Sequence, residues 1–202
     1  STTASWFVDI FGMVDLDTVA NVNPLLSNLM IINGATGQAL VYKTDFDIQT
    51  SSVKDGSGIP INAQRTRILI EPLKPLAPNT TYIVALKKGI KTTNGGMVQP
   101  SYMFNALNSA TPIASQTDSY FKRFSATEKL TLEALRSQLV RPITSKLAGF
   151  GVTDVLLAYS VTTQSTTKTL DKVVAQSVAG DIAAFPTGKT VQDLIPELPA
   201  NA

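Results

Sequence analysis

Apolar and polar positions between Arg67 and Gly96 fall into two short β-branched runs separated by prolines. Ile68 to Ile70 and Thr81 to Leu86 carry the residue types that favour a pleated, half-buried strand, while Pro72, Pro75 and Pro78 exclude a helix between them. Asn94-Gly95-Gly96 then supplies residues that tolerate positive φ and marks a turn. Upstream, Leu29 to Ile32 predicts a strand, and Asn33-Gly34 with Thr36-Gly37 predicts a tight turn into Gln38 to Tyr42, so a hairpin is expected there. Asp45 to Ile48 is a further candidate strand, Ser51 to Pro60 is expected as a loop, and Ile61 to Ile70 returns to extended structure. Asp154 to Thr163 is almost continuously apolar or β-branched, the pattern of a strand covered on both faces or central in a sheet. Short strands at this spacing suggest a sandwich. The first twenty residues hold Trp6, Phe7, Val8, Ile10, Phe11, Val14, Leu16 and Val19 with no clear period, so their element type stays open.

The period changes after Phe104. Asn105 to Thr117 is read as a polar connector, and Ser125-Ala126-Thr127-Glu128 fits a capping box at a helix start. Leu132, Leu135, Leu139, Ile143 and Leu147 follow in steps of three and four and predict one apolar stripe buried against the sandwich. Pro142 is expected to kink or split the helix, and Gly149-Phe150-Gly151 to end it. Leu170, Val173, Val174 and Val178 predict a short helix, and Pro186, Pro196 and Pro199 give the remainder the character of a linker. The expected fold is therefore mainly β with a helical insertion, of the α+β class: an antiparallel β-sandwich over 1–165, largely helical at about 105–150, with its final strand near 154–163. Residues 166–202 are read as a short helix and linker.

At 202 residues the chain can bury roughly 70% of its unfolded surface, and 44% hydrophobic against 16% charged residues is a globular balance, not a disordered one. Seventeen basic and fifteen acidic residues give a net charge of +2, with no basic run longer than a pair such as Lys87-Lys88. That leaves no electrostatic footprint for nucleic acid. The chain has no His and no Cys. An imidazole general base, a Ser-His dyad, a His-ligated metal, a thiol nucleophile and a disulfide are all excluded. No uninterrupted apolar run approaches the ~20 residues that span a bilayer.

Individual motifs carry little chemistry. Gly188-Lys189-Thr190 imitates the end of a phosphate loop, but Ala183 stands where that motif needs glycine. Gly-x-Ser-x-Gly occurs nowhere, and Gly56-Ser57-Gly58 has the wrong spacing for a nucleophile elbow. Asp9, Asp15 with Asp17, and Asp45 with Asp47 are read as solvated strand-end acids in preference to calcium ligands, since no spacing matches an EF-hand. Asn79-Thr80-Thr81 is read as shaping the turn before Tyr82. The one candidate contact site is Tyr120-Phe121-Lys122-Arg123-Phe124, where cations interleave with aromatics just before the helix. That mixture suits a lipid headgroup interface, and it equally suits a helix entry with buried rings and solvated cations. No catalytic, cofactor or metal residue is expected in this chain, so it is read as non-enzymatic.

Leu76, the Pro78-Asn79 turn, Thr80-Thr81-Tyr82, the strand that follows, Gly89-Ile90-Lys91 and Asn94-Gly95 together resemble the penultimate strand region of bacterial immunoglobulin-like (Ig-like) domains. Val22-Asn23-Pro24, Ile31-Ile32-Asn33-Gly34-Ala35-Thr36-Gly37 and Val155 to Ser165 extend the likeness. Over most of its length the chain is similar to the N-terminal region of the extracellular bacterial lipases called virulence-factor lipases. Val161 departs from that family's pattern, which has Phe there, and the Pro-rich motif expected near the beginning is missing. The resemblance implies an Ig-like sandwich, secretion or outer-membrane or cell-surface anchoring, and a non-catalytic role. That role is to position a following α/β-hydrolase domain of the same polypeptide or to contact lipid or the cell surface. The alternative is a free-standing Ig-like adhesion module.

Overall fold

The computed structural model describes residues 5–21, 23–54 and 60–165. Among the described residues six strands form two three-stranded antiparallel sheets. The first sheet has β1 (Trp6–Phe11), β4 (Pro60–Pro72) and β3 (Tyr42–Lys54) in that order, and the second has β2 (Leu29–Asn33), β5 (Thr81–Lys87) and β6 (Val155–Thr162). Between β5 and β6 come α1 (Tyr102–Asn108), α2 (Ser119–Lys122), α3 (Ala126–Leu135) and α4 (Arg141–Gly149). The chain is thus mainly β with helices in one connection. Residues 166–202, read above as a short helix and linker, lie outside the described residues.

The sheets and helices stack in three layers. Trp6, Val8, Ile10, Ile68 and Ile70 of the first sheet meet Leu29, Ile31, Tyr82, Val84 and Leu86 of the second in one core. The alternate residues of the second sheet, Met30, Ile32, Ile83, Ala85 and Ala158, point the other way and pack on Phe104, Phe121, Ile143 and Leu147 of the helical layer. This explains why β2, β5 and β6 read as continuous apolar runs: both of their faces are covered. In β1 the outward residues include Phe7 and Phe11, so its period of two is masked by aromatics on the solvent side.

Two tyrosines tie the sheets together along their edges. The Tyr42 hydroxyl of β3 donates to the Leu29 carbonyl of β2, and the Tyr159 hydroxyl of β6 donates to the Phe7 carbonyl of β1 at 3.3 Å. Opposite Leu86 and Lys87 the register of β6 slips, leaving Leu156 as an extra, bulged residue. Leu156 is buried in the inter-sheet core and Leu157 packs against it, as a bulge that turns neighbouring side chains to one face allows.

Four expectations need correction. Gln38 to Tyr42 does not form a hairpin strand with β2; Ala39 makes a single bridge to Ile32, and the chain then crosses so that Tyr42 opens β3 in the other sheet. Of the expected loop from Ser51 to Pro60, Ser51 to Lys54 and Pro60 are strand instead, because β3 pairs with β4 as far as Lys54 opposite Pro60 and extends the hairpin well past β1. The polar connector from Asn105 contains most of α1, begun by the Ser101 side chain accepting from the Phe104 N–H.

The fourth correction concerns the helical stripe. Leu135 and Leu139 are 41% and 48% exposed, while the buried line runs through Leu132, Arg136, Val140, Ile143 and Leu147, with Leu132 partly covered. Residues Arg136–Val140 form a wide π turn that leads into α4, with Pro142 directly after it, at the second residue of α4. Arginine occupies the position that a leucine stripe would assign to an apolar residue. Its guanidinium donates to both carboxylate oxygens of Glu133 at 2.7–3.0 Å and to the Ser109 carbonyl at 2.9 Å. Glu133 in turn accepts the Ile113 N–H at 2.8 Å, so the pair fastens the connector after α1 to the long helix.

Candidate functional site

The five residues singled out from the sequence lie at α2 and its exit. Asp118 caps α2 by accepting the Tyr120 N–H at 2.8 Å, and this short helix is too brief for its own period to sort the side chains. Packing sorts them instead. Phe121 is 1% exposed and belongs to the core between the second sheet and the helices, and Phe124 packs partly against the same core. Neither Phe121 nor the inner side of Phe124 is a surface ring. Lys122 and Arg123 are exposed.

Tyr102 of α1, which sequence reasoning did not pick out, completes the cluster. Its ring centroid lies 4.7 Å from that of Tyr120, and Tyr120 stands edge-on to Phe121 at 5.4 Å and 81°. The Arg123 guanidinium lies over the Tyr120 ring at 3.7 Å and within 5.3 Å of the Phe124 centroid. A guanidinium at that distance is attracted by the ring quadrupole, and because it is planar it keeps its edge donors free for an anion. Beside the stack lies a shallow pocket of about 310 Å³, whose lining includes Tyr102, Asn105, Gln116 and Asp118. The cluster is a surface with one buried anchor, Phe121, a half-buried Tyr120, and an exposed face of Tyr102, Lys122 and Arg123. Such a face can hold an anionic or aromatic group by stacking and charge.

The acidic residues considered above have other work. Asp9 accepts two hydrogen bonds from Arg67 at 2.7 and 2.9 Å and has Arg65 3.3 Å away, and the Arg67 hydrogen bond holds its carboxyl below the usual range. Asp15 caps the short turn at Leu16–Thr18, and Asp45 and Asp47 accept from Phe46 and Gln49. Among the described residues no three His, Cys, Asp or Glu side chains cluster as a metal site would. Asn79 adopts φ 50°, the left-handed conformation that a turn before β5 requires and that asparagine tolerates. No helix among the described residues is long and apolar enough to cross a membrane. Comparison with models of known protein families and with curated proteins finds no match.

Proposed function

We propose that this chain is a non-catalytic Ig-like module of a secreted or surface-anchored bacterial lipase or lysophospholipase. It would hold the following α/β-hydrolase domain in position or bring it to lipid or the cell surface. The observation that carries the reading is the strand order. In the constant-type Ig fold one sheet runs A-B-E-D and the other C-F-G. Taking β1 as strand B makes the first sheet B-E-D and the second C-F-G, each β-strand falling in its place in chain order. The corner before strand F agrees. Tyr82, the second residue of β5, accepts the Ala77 N–H through its hydroxyl at 3.0 Å, a contact of the kind made by the corner tyrosine of that fold, whose hydroxyl bonds the backbone a few residues upstream. The link to lipases rests on the sequence likeness around Leu76 to Asn94 and Val155 to Ser165.

The helical layer in the F–G connection fits a spacer better than a binding loop. It covers one face of the C-F-G sheet, leaving that face unable to receive a partner. The test is the reading frame of the native gene beyond Ala202. A Gly-x-Ser-x-Gly elbow followed by Asp and His supports the proposal, and a succession of further Ig-like repeats with no elbow overturns it in favour of an adhesion protein.

A further inference from the structure

The two open sides of the sandwich are treated differently. On the β2 side the chain seals its own edge. Ala39 bridges Ile32, the Leu40 N–H donates to the Ile31 carbonyl at 2.8 Å, the Asn33 N–H donates to the Gln38 carbonyl at 2.8 Å, and Leu40 packs on the core. On the β1 side nothing comparable is found among the described residues. The register places Trp6, Val8 and Ile10 in hydrogen-bonded pairs with β4, continuing to the Gly12 N–H, which donates to Gln64 at 2.7 Å. The N–H and C=O groups of Phe7, Asp9 and Phe11 therefore point away from the sheet. The Phe7 carbonyl receives Tyr159, and those of Asp9 and Phe11 have no partner among the described residues.

Beneath this edge lies a groove of about 390 Å³ between β1 and β6, floored by Leu86, Leu156 and Leu157 and walled by Val98. Its one ionisable lining residue, Asp9, is already neutralised by Arg67 and Arg65. On the solvent side of the same edge Phe7 and Phe11 are 54% and 70% exposed. On that outer face the Arg67 guanidinium lies over the Phe7 ring at 4.4 Å and pairs with Asp9, so the apolar surface beside the unpaired edge is the groove together with Phe11, and an edge so flanked is a template for another strand.

We propose that β1 is a docking edge for an extended, uncharged segment of a partner polypeptide, which adds as a strand beside Asp9 and Phe11. Backbone pairing identifies the occupant as a strand, since no other ligand satisfies alternating donors and acceptors along an edge. Its alternate residues are apolar and enter the groove over Leu156 and Leu157, as Leu40 does on the opposite side, while the others cover Phe7 and Phe11. The Tyr159 contact with Phe7 sets one end of the docked strand. This reading stands whether or not the chain belongs to a lipase.

The test titrates the ¹⁵N-labelled chain with a capped nonapeptide that alternates threonine and valine between terminal lysines. The expected result is a saturable shift of the Asp9 and Phe11 amides with exchange slowed about tenfold or more. Phe11→Pro, which removes an outward N–H that an edge strand does not use, should abolish the effect, and Gln99→Trp, which fills the groove from its rim, should do the same. Absence of shifts at Asp9 and Phe11, or shifts that survive both variants, overturns the proposal. So does a laurate titration that perturbs Leu86, Leu156 and Leu157 while the peptide leaves the edge amides unchanged, since the groove would then be a slot for acyl chains.

Discussion

Tyr82 and Ala77, five residues apart, are joined by a 3.0 Å hydrogen bond from the Ala77 N–H to the phenolic oxygen. Thr163, just beyond β6, closes the same corner from the other side: its hydroxyl accepts the Thr80 N–H at 2.9 Å and donates to the Ala77 carbonyl at 2.6 Å. The turn that carries Asn79 in its left-handed conformation is thus clamped between the two strands flanking it in the second sheet. Tyr82→Phe keeps the ring beside Trp6 but leaves the Ala77 N–H without its partner, which costs about 1–3 kcal/mol. Urea denaturation with an unchanged midpoint would contradict this role.

Truncations along the helical layer should separate the buried line from the leucine line. Leu147→Ala removes a fully buried side chain and should cost about 2–5 kcal/mol. Leu135→Ala and Leu139→Ala, on the exposed side, should change stability by no more than about 0.5 kcal/mol. Equal losses at all three positions would place the helix face where the leucine spacing alone puts it.

The Glu133–Arg136 pair makes the fold sensitive to acid. Hydrogen bonds from Arg136, then from the Ile113 N–H, lower the Glu133 carboxyl from 4.5 to about 2. A carboxyl lowered on folding contributes its full stability above the unfolded value and loses it as pH falls through the window from about 4.5 to about 2. Glu133→Gln should flatten the melting temperature against pH across that window relative to the parent chain. A parallel profile in the two proteins would show that the pair contributes nothing there.

Within the aromatic cluster, anchor and surface should respond oppositely. Phe121→Ala empties a site in the helix–sheet core and should cost about 3–5 kcal/mol. Arg123→Glu leaves the core intact, so the melting temperature should hold while sedimentation with phosphatidylglycerol vesicles is lost. At ~1 kcal/mol for each basic residue near an anionic surface, the association expected of the parent chain is weak and should disappear in high salt. Vesicle binding by Arg123→Glu equal to that of the parent would remove the cluster from any lipid role.

The strands legible in the sequence were those whose chemistry is one-sided in type. Ile68 to Ile70, Thr81 to Leu86 and Val155 to Thr162 are almost continuously apolar or β-branched, and the prolines between the first two mark the turn. β1 escaped because Phe7 and Phe11 put apolar residues on its outer face. The far end of the β3–β4 hairpin escaped because Ser, Thr and Lys read as loop where backbone pairing alone defines the strand. Arg136 escaped for the opposite reason: a charged residue does not enter a stripe drawn through apolar positions, and only its pairing with Glu133 and the Ser109 carbonyl makes its burial affordable. Of the candidate site, the sequence marked five adjacent residues, which the structure sets on α2 and its exit. It gave no sign that Tyr102, eighteen positions before Tyr120, would stack on it, because that proximity arises from α1 and α2 packing on one sheet face.

The proposal that this chain serves a catalytic domain without being one is tested most directly on the native polypeptide. Isolated from the cells that make it, that polypeptide is treated with a fluorophosphonate, which labels activated serines, and the labelled peptide is sequenced. The expected result is a single labelled serine outside residues 1–202, together with lysophospholipid turnover that the label abolishes, while the 202-residue chain alone is neither labelled nor active. Labelling of a serine within residues 1–202, or a native polypeptide with neither label nor ester turnover, would contradict it.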